Sequence, residues 1–350
     1  MKLKVSVKEF QDAVKAVHLA TNRAEDLPAQ IQAGSTGVTI TGAGLAGIVA
    51  VTVPGEIDSG GAATVAAASL VSLAARLTGM TCSVELIDRA VVLQTESQKL
   101  SLSTVDSPMA SPETHDNGKV IDGRSLADAI KRASLAADSE GNARFSLSGV
   151  HIAPSEEGLN VTGTNGKVLV QVRVDGECGL DGPVIVPLES IPLLLSALSA
   201  ECSIGCIRKA VLAVKGEGSL VNVGLANGRF PSVEGLFGDA TQEYSAFDAD
   251  ELMNAVTTSA TVSRGKFSET ETFVSVGSDG LEVSSSGDFG VVRTKVSSEP
   301  AQPKTVEVNP HFFRSVVVAS AGNALIAIDG HRIYVSSERT RAVLMGINRQ

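Results

Sequence analysis

No tryptophan occurs in this chain of 350 residues, and tyrosine only twice. Aromatic side chains make up 3% of it, too few rings to hold single-stranded nucleic acid by stacking successive bases. Four cysteines (Cys82, Cys178, Cys202, Cys206) do not make a disulfide framework in a chain this long. Cys202 and Cys206 have no histidine nearby and no second cysteine pair to complete a zinc site. Free thiols in a reducing cytoplasm are the expectation. No apolar run approaches the roughly 20 residues that cross a bilayer. The opening MKLKVSVKEF is amphipathic at once and lacks the apolar core of a secretory signal. There is no G-x-S-x-G, phosphate-binding P-loop, H-E-x-x-H or C-x-x-C, and the five histidines (His18, His115, His151, His311, His331) are scattered. With no nucleophile–base pair in view, no catalytic residue, metal or cofactor is expected.

What is present is a 43% hydrophobic composition, enough for two or three domains with cores of their own. The net charge of −10 by itself argues against nucleic acid, but a basic stripe can lie on an acidic protein. The stretch VTITGAGLAGIVAVTVPG, Val38 to Gly55, carries Gly42-x-Gly44-x-x-Gly47, the spacing of a dinucleotide fingerprint. That motif needs a helix after its glycines to receive the pyrophosphate. Here Ile48 to Val53 is β-branched and stops at Pro54, so the sequence predicts a second strand and a glycine-rich corner.

The corner recurs. Gly37-Val-Thr-Ile-Thr-Gly42 returns as Gly158-Leu-Asn-Val-Thr-Gly163, 121 residues on, and as Gly280-Leu-Glu-Val-Ser-Ser285, a further 122. A second landmark keeps step: Val65 before AAASLVSLAARL, Val186 before PLESIPLLLSAL, Val308 before NPHFFRSVVVAS. The chain is therefore expected to be a tandem triplication of a domain of about 120 residues, a normal domain size. Each copy opens with an amphipathic helix: Phe10, Val14, Val17 in the first, Leu126, Ile130, Ala133 in the second, and Leu252, Val256, Ser259 more weakly in the third, with Asp248 as its cap. Asp106 to Lys119 and Phe237 to Ser245 are rich in turn residues and are expected to be linkers. The expected domains are 1–118, 119–239 and 240–350, each reading helix, strands, helix, strands.

Lys8 and Lys15 share a stripe on the first helix, opposite its apolar face. Arg124 and Lys131 hold the matching places in the second copy, with Arg132 beside them; the third has Asp250 and Thr257 there, its basic residues Arg264, Lys266 and Arg314 lying elsewhere. A common anion-facing surface is expected from two copies. Asp329-Gly-His-Arg332 lies between the β-rich runs ALIAI and IYVSS and is expected to be a hairpin turn.

Several local strings resemble the β sliding clamp family of bacterial DNA polymerase III: Arg144-Phe-Ser-Leu147-Ser-Gly149, Gly163-Thr-Asn-Gly166, Val184-Ile-Val-Pro187, Gly228-Arg-Phe-Pro231 and Leu100-Ser-Leu-Ser-Thr104, in order along the whole chain. The resemblance implies an α+β fold of three tandem clamp domains, each with two helices on antiparallel sheets. It implies a non-enzymatic, cytoplasmic processivity factor: two protomers closed head to tail into a ring around duplex DNA, touching phosphates without reading bases. Lys8, Lys15, Arg23, Arg124, Lys131 and Arg132 are the implied DNA contacts. Polymerase and clamp loader would bind by short linear motifs in a pocket between the second and third domains. Carried over, that pocket uses Arg144, Leu147, Thr164, Gly166, Leu169, Pro231, Leu236, Val343, Leu344, Met345 and Ile347. The chain departs from the family's Asp-Gly-His-Arg-Leu with Asn165-Gly-Lys-Val-Leu169, and Gly346 stands where proline is usual. The homodimer seam would set Leu100 against Thr261 and Val262, a smaller apolar pair than the family prefers, so a looser dimer is expected. The alternative that the residues leave open is a clamp-like accessory or sequestering protein that binds partners without efficiently encircling DNA.

Overall fold

The structure, a computed structural model, describes residues 1–21, 27–35, 37–115, 119–138, 147–238, 244–262, 271–287, 289–320 and 324–348. One element order runs three times. The first copy is β1 (Lys2–Ser6), α1 (Val7–Thr21), β2 (Pro28–Ala33), β3 (Val38–Gly44), β4 (Gly47–Val53), β5 (Gly55–Ser59), β6 (Gly61–Ala66), α2 (Ala67–Ala74), β7 (Thr81–Ile87), β8 (Ala90–Gln94) and β9 (Lys99–Ser103). The second is β10 (Ile121–Asp122), α3 (Gly123–Ser134), β11 (Gly149–Ser155), β12 (Gly158–Thr164), β13 (Val168–Asp175), β14 (Val184–Pro187), α4 (Ile191–Ala197), β15 (Glu201–Ile207), β16 (Val211–Gly216) and β17 (Ser219–Gly224). The third is β18 (Ser245–Phe247), α5 (Ala249–Val262), β19 (Glu271–Gly277), β20 (Gly280–Gly287), β21 (Gly290–Val296), β22 (Lys304–Glu307), α6 (Pro310–Ser320), β23 (Ala324–Asp329), β24 (Arg332–Ser336) and β25 (Thr340–Met345). Among the described residues, β5 is the one strand with no counterpart in the other two copies. The triplication expected from two spaced landmarks is present element by element.

The landmarks have physical reasons. Gly37, Gly158 and Gly280 all take φ between +102° and +152°, a conformation that costs a residue with a Cβ. Val65, Val186 and Val308 are all fully buried ahead of the second helix of their copy. The apolar stripes of the first helices are buried as well: Phe10, Val14 and Val17 on α1, Leu126, Ile130 and Ala133 on α3, Leu252, Val256 and Ser259 on α5. The Asp248 carboxylate accepts the Glu251 amide at 2.9 Å, capping α5, and the Asp122 carboxylate accepts the amides of Arg124 and Ser125, capping α3.

The glycine fingerprint is a hairpin, with β3 and β4 paired from Val38↔Val53 to Gly44↔Gly47. Its glycines serve packing. A Cβ on Gly42 would strike Val17 of α1, and one on Gly163, 121 residues later, would strike the Ala133 carbonyl at the end of α3. Both let a helix lie directly on its sheet. The third copy places Ser285 there, buried and hydrogen-bonded to Thr272 at 2.7 Å.

The chain divides into two compact units, residues 1–127 with 176–182 and 189–226, and residues 128–175 with 183–188 and 227–350. Each holds one eight-stranded antiparallel sheet that draws strands from two copies. In the first unit the order is β10-β15-β16-β17-β4-β3-β2-β6, joined across copies by β17 and β4. In the second it is β14-β11-β12-β13-β25-β24-β23-β18, joined by β13 and β25. The first unit also has the sheet β5-β1-β7-β8-β9, and the second the sheet β21-β20-β19-β22. No helix is long and apolar enough to cross a membrane among the described residues.

Candidate functional site

The junction of β13 and β25 builds a pocket from sheet register alone. Their pairing sets Leu169 against Val343, β24 adds Tyr334 opposite Val343, and β23 adds Ala327 opposite Tyr334. Directly opposed residues share a face, so these four make one buried apolar row across four strands. Val233, Phe237 and Tyr244, from the segment after Phe230, pack on top of it. At the end of this cover lies a hollow of about 340 Å³, walled by Leu147, Leu169, Pro231, Val233, Leu236, Val343 and Met345. Its lip is the turn between β12 and β13, locked by its own side chains. The Asn165 side-chain oxygen accepts the amides of Lys167 and Val168 at 2.9 and 2.8 Å, while the Thr164 hydroxyl donates to the Val168 carbonyl at 2.6 Å. Gly166 supplies the φ of +83° that this turn requires. A pre-formed, mostly apolar cleft with few polar groups is the usual form of a ligand or peptide site.

Of the expected pocket residues, Leu147, Thr164, Gly166, Leu169, Pro231, Leu236, Val343 and Met345 line this hollow together. Leu344 is fully buried on the reverse face, because strand alternation turns it away from Val343 and Met345. Ile347 lies beyond β25, where its amide donates to the Glu307 carbonyl at 2.8 Å. Arg144 lies outside the described residues. Val233 and Arg332 also line the pocket and escaped the sequence reading. Arg332 was hidden because Asp329 to Arg332 is indeed a hairpin, with Gly330-His331 as its turn, and a turn reading gave no reason to ask where its last side chain points.

The first unit repeats this junction without the same floor. Subtracting the 121-residue spacing, Leu169, Val343 and Tyr334 correspond to Ile48, Asn222 and Ala213, which are paired in the same register. The Asn222 amide clamps the first linker: its oxygen accepts the Glu113 amide at 2.6 Å and its nitrogen donates to the Glu113 carbonyl at 2.9 Å. Arg208 adds an ion pair to the Glu113 carboxylate at 3.1 Å. One position thus fastens a linker to the sheet in one unit and lines an open apolar floor in the other.

On the other side of the cover segment is a second cavity, of about 540 Å³ and more polar. The Phe230 ring stacks on His151 with centroids 4.4 Å apart and planes 6° from parallel. Arg341 lies over Phe237 at 4.6 Å and donates to the Gln171 side chain at 2.8 Å; Gln171 in turn donates to the Thr162 hydroxyl at 3.2 Å. Burial holds the His151 pKa below the usual imidazole value. These two contacts fasten both ends of the segment that walls the pocket.

Among the expected DNA contacts, Lys8, Lys15, Arg124 and Lys131 are exposed on α1 and α3. Lys15 is paired with Asp12 at 2.7 Å. Arg132 is held by Asp128 at 2.6 Å, and its guanidinium reaches the Ala319 carbonyl and the Thr340 hydroxyl at 3.5 Å. Arg23 lies outside the described residues, as do Arg264 and Lys266. Helix α5 opens with exposed Asp250 and Glu251 and contains no Lys or Arg. Of the expected seam residues, Leu100 is half-buried on β9, the edge strand of its sheet, Thr261 is exposed and Val262 buried at the end of α5. The edge strand β21 adds Val291, 67% exposed, and the residue before it in the hairpin, Phe289, is 70% exposed. Burial raises the Cys82 and Cys202 thiols to about 11, which keeps them protonated and inert. No group of three or more metal-ligating side chains occurs among the described residues.

No protein-family model matches the sequence, and no curated protein matches it either. The fold is another matter. The chain is similar, over 100% of its own length and of theirs, to the β subunit of DNA polymerase from Streptococcus pyogenes (TM-score 0.86, 17% identity) and to the DNA polymerase sliding clamp from Bacillus subtilis (TM-score 0.86, 15% identity). The β subunit of DNA polymerase III from Pseudomonas aeruginosa matches as fully, at TM-score 0.84 and 16% identity. The chain has the tandem clamp fold of these proteins, helices on antiparallel sheets from end to end.

Proposed function

We propose that this protein is a DNA polymerase processivity factor, a homodimeric ring that encircles duplex DNA and tethers polymerase and clamp loader through the pocket at the β13–β25 junction. The observation that carries the reading is the pairing of an end-to-end clamp fold with an open apolar hollow at that junction. Its three domains would be 1–118, 119–239 and 240–350. No step of chemistry is assigned to it: the work is topological and adhesive.

In this reading the first helices face DNA. Lys8, Lys15, Arg124 and Lys131 are the exposed cations of that face, Arg132 contributes charge from a fixed position, and Arg23 extends it. Such contacts neutralise phosphates without reading sequence, so binding should fall steeply with salt. The ring would close through the edge of β9, near Leu100, against Thr261, Val262 and the exposed Phe289 and Val291 of a partner. Edge strands with exposed apolar side chains call for a covering surface, and a head-to-tail contact that closes by rotation gives a finite ring. With a threonine in that seam the dimer is expected to be loose, and analytical ultracentrifugation showing no monomer at low nanomolar concentration would contradict this.

The test is retention on DNA. Loaded by its cognate loader, the protein should stay on a closed plasmid and slide off once the plasmid is linearised. A second reading, a partner-binding accessory that does not encircle DNA, draws on the acidic start of α5, which lacks Lys and Arg. Failure to load on the circle, with peptide binding intact, would favour it.

A further inference from the structure

The polar cavity on the far side of the cover segment has a floor that the fold by itself does not call for. His151, Thr162, Gln171 and Arg341 stand directly opposite one another across β11, β12, β13 and β25. Opposed residues share a face, so these four make a polar row beside the apolar row of Leu169 and Val343. Gln171 and Thr162 are buried, with 9% and 1% of their surfaces exposed. The 121-residue spacing gives the matching row of the first unit, Gln30, Thr41, Ala50 and Leu220, paired in the same register. There an alanine and a leucine stand where Gln171 and Arg341 stand here. The sheet junction therefore forms without a buried carboxamide or a guanidinium at these places.

Arg341 is fixed on two sides. The Gln171 side-chain oxygen accepts one of its N–H groups at 2.8 Å, and the Phe237 ring lies against its guanidinium at 4.6 Å. The residue is exposed, and among the described residues its guanidinium has no other acceptor and no ion pair. Arg229 brings a second exposed cation to the cavity, also without an ion pair among the described residues. Glu234 is the one carboxylate in the lining among those residues, and burial keeps His151 uncharged at neutral pH. The lining is thus net positive on a chain whose net charge is −10. Asn160, which lines the same floor, adds a side-chain amide with no partner among the described residues. The remaining walls are flat and apolar: Phe230 stacked on His151, with Pro154 and Pro231. At about 540 Å³ the cavity falls within the size range of small-molecule sites.

We infer that this cavity binds a small planar molecule bearing an oxyanion, a phosphate or a carboxylate, with the oxyanion on Arg341 and the ring against the Phe230 side. A guanidinium already pinned by a buried side chain and an aromatic face loses little freedom when it clasps an oxyanion through its remaining N–H groups. The inference goes beyond the function proposed above and depends neither on a ring nor on tethering.

The experiment uses the full chain and ligand-detected NMR. The probes are adenosine monophosphate, phenyl phosphate and benzoate, with adenosine and benzamide as uncharged controls. At least one anion should bind about tenfold or more tighter than its control, the scale of one charge-assisted hydrogen bond. Arg341→Met should weaken that anion at least fivefold and leave the control unchanged. Arg341→Lys, which keeps the charge but not the fork, should fall between the two. Circular dichroism checks that both variants are folded. Tighter binding of the phosphates would identify a phosphate ester as the ligand class and tighter binding of benzoate a carboxylate; both outcomes uphold the site. Equal binding of anions and controls overturns the inference, as does anion binding that survives Arg341→Met. Absence of binding by every probe at millimolar concentration overturns it too.

Discussion

Replacing Val343 by asparagine would place in the second unit the residue that the first unit has at the corresponding position. Val343 is buried in the middle of the apolar row, between Leu169 and Tyr334. Removing its methyls from that floor forfeits about 1.5 kcal/mol of burial. Leaving a side-chain amide there without a partner adds about 1–3 kcal/mol. A destabilisation of about 3 kcal/mol is therefore expected in equilibrium urea unfolding. If the segment from Pro231 to Phe237 instead shifts to satisfy the amide, as the first linker does for Asn222, the stability loss shrinks but the hollow fills. Either way peptide affinity should fall at least tenfold, equivalent to about 1.4 kcal/mol. The reciprocal change, Asn222→Val, removes two hydrogen bonds from the Glu113 backbone, each worth about 1 kcal/mol, and regains part of that through apolar burial. Limited proteolysis should then cut faster in the linker around Met109 to Glu113. A Val343→Asn protein with unchanged urea midpoint and peptide affinity within twofold of the parent would refute the idea that this one position decides between clamp and pocket.

Gly163→Ala should cost about 3 kcal/mol or more, because the new methyl meets the Ala133 carbonyl and neither backbone can give way without lifting α3 from its sheet; thermal unfolding reads it. Asp122→Ala, which uncaps α3, should cost about 1 kcal/mol in urea unfolding. Since the Asp122 pKa is lowered, chiefly by the Ser125 hydroxyl, its contribution is present at neutral pH and should vanish as the pH falls through its folded value, below 3.8. The His151 pKa is lowered by burial, so below about pH 6.5 the unfolded chain takes up a proton that the folded one resists. Melting temperature should drop on acidification through that window, and His151→Gln should flatten the dependence.

The repeat was legible because its markers are positions where backbone conformation or burial allows little choice: a glycine at positive φ, a valine beneath a helix. The pocket's apolar members were legible for a similar reason, since strings such as Gly228-Arg-Phe-Pro231 survive where both the cover segment and the sheet constrain them. Arg332 was not, because it becomes a pocket residue only through a strand register that unites positions 167, 345 and 332. No local pattern encodes that register. The glycine corner was read correctly as a hairpin, but its purpose, letting helices lie on sheets, needed the Val17 and Ala133 contacts to be seen. The linkers looked like plain connectors, whereas Glu113 is gripped by the sheet through a side chain 109 residues away in sequence.

Because β17 zips onto β4 and β13 onto β25, the boundaries of the repeat are the worst places to divide this polypeptide. A piece ending at residue 118 would bare the Ile48-to-Val51 side of β4, and the remainder would bare β17, two sticky edges ready to pair with whatever strand they meet. Within one chain each of these edges finds its partner without leaving the molecule, so what would be association between separate pieces is folding here.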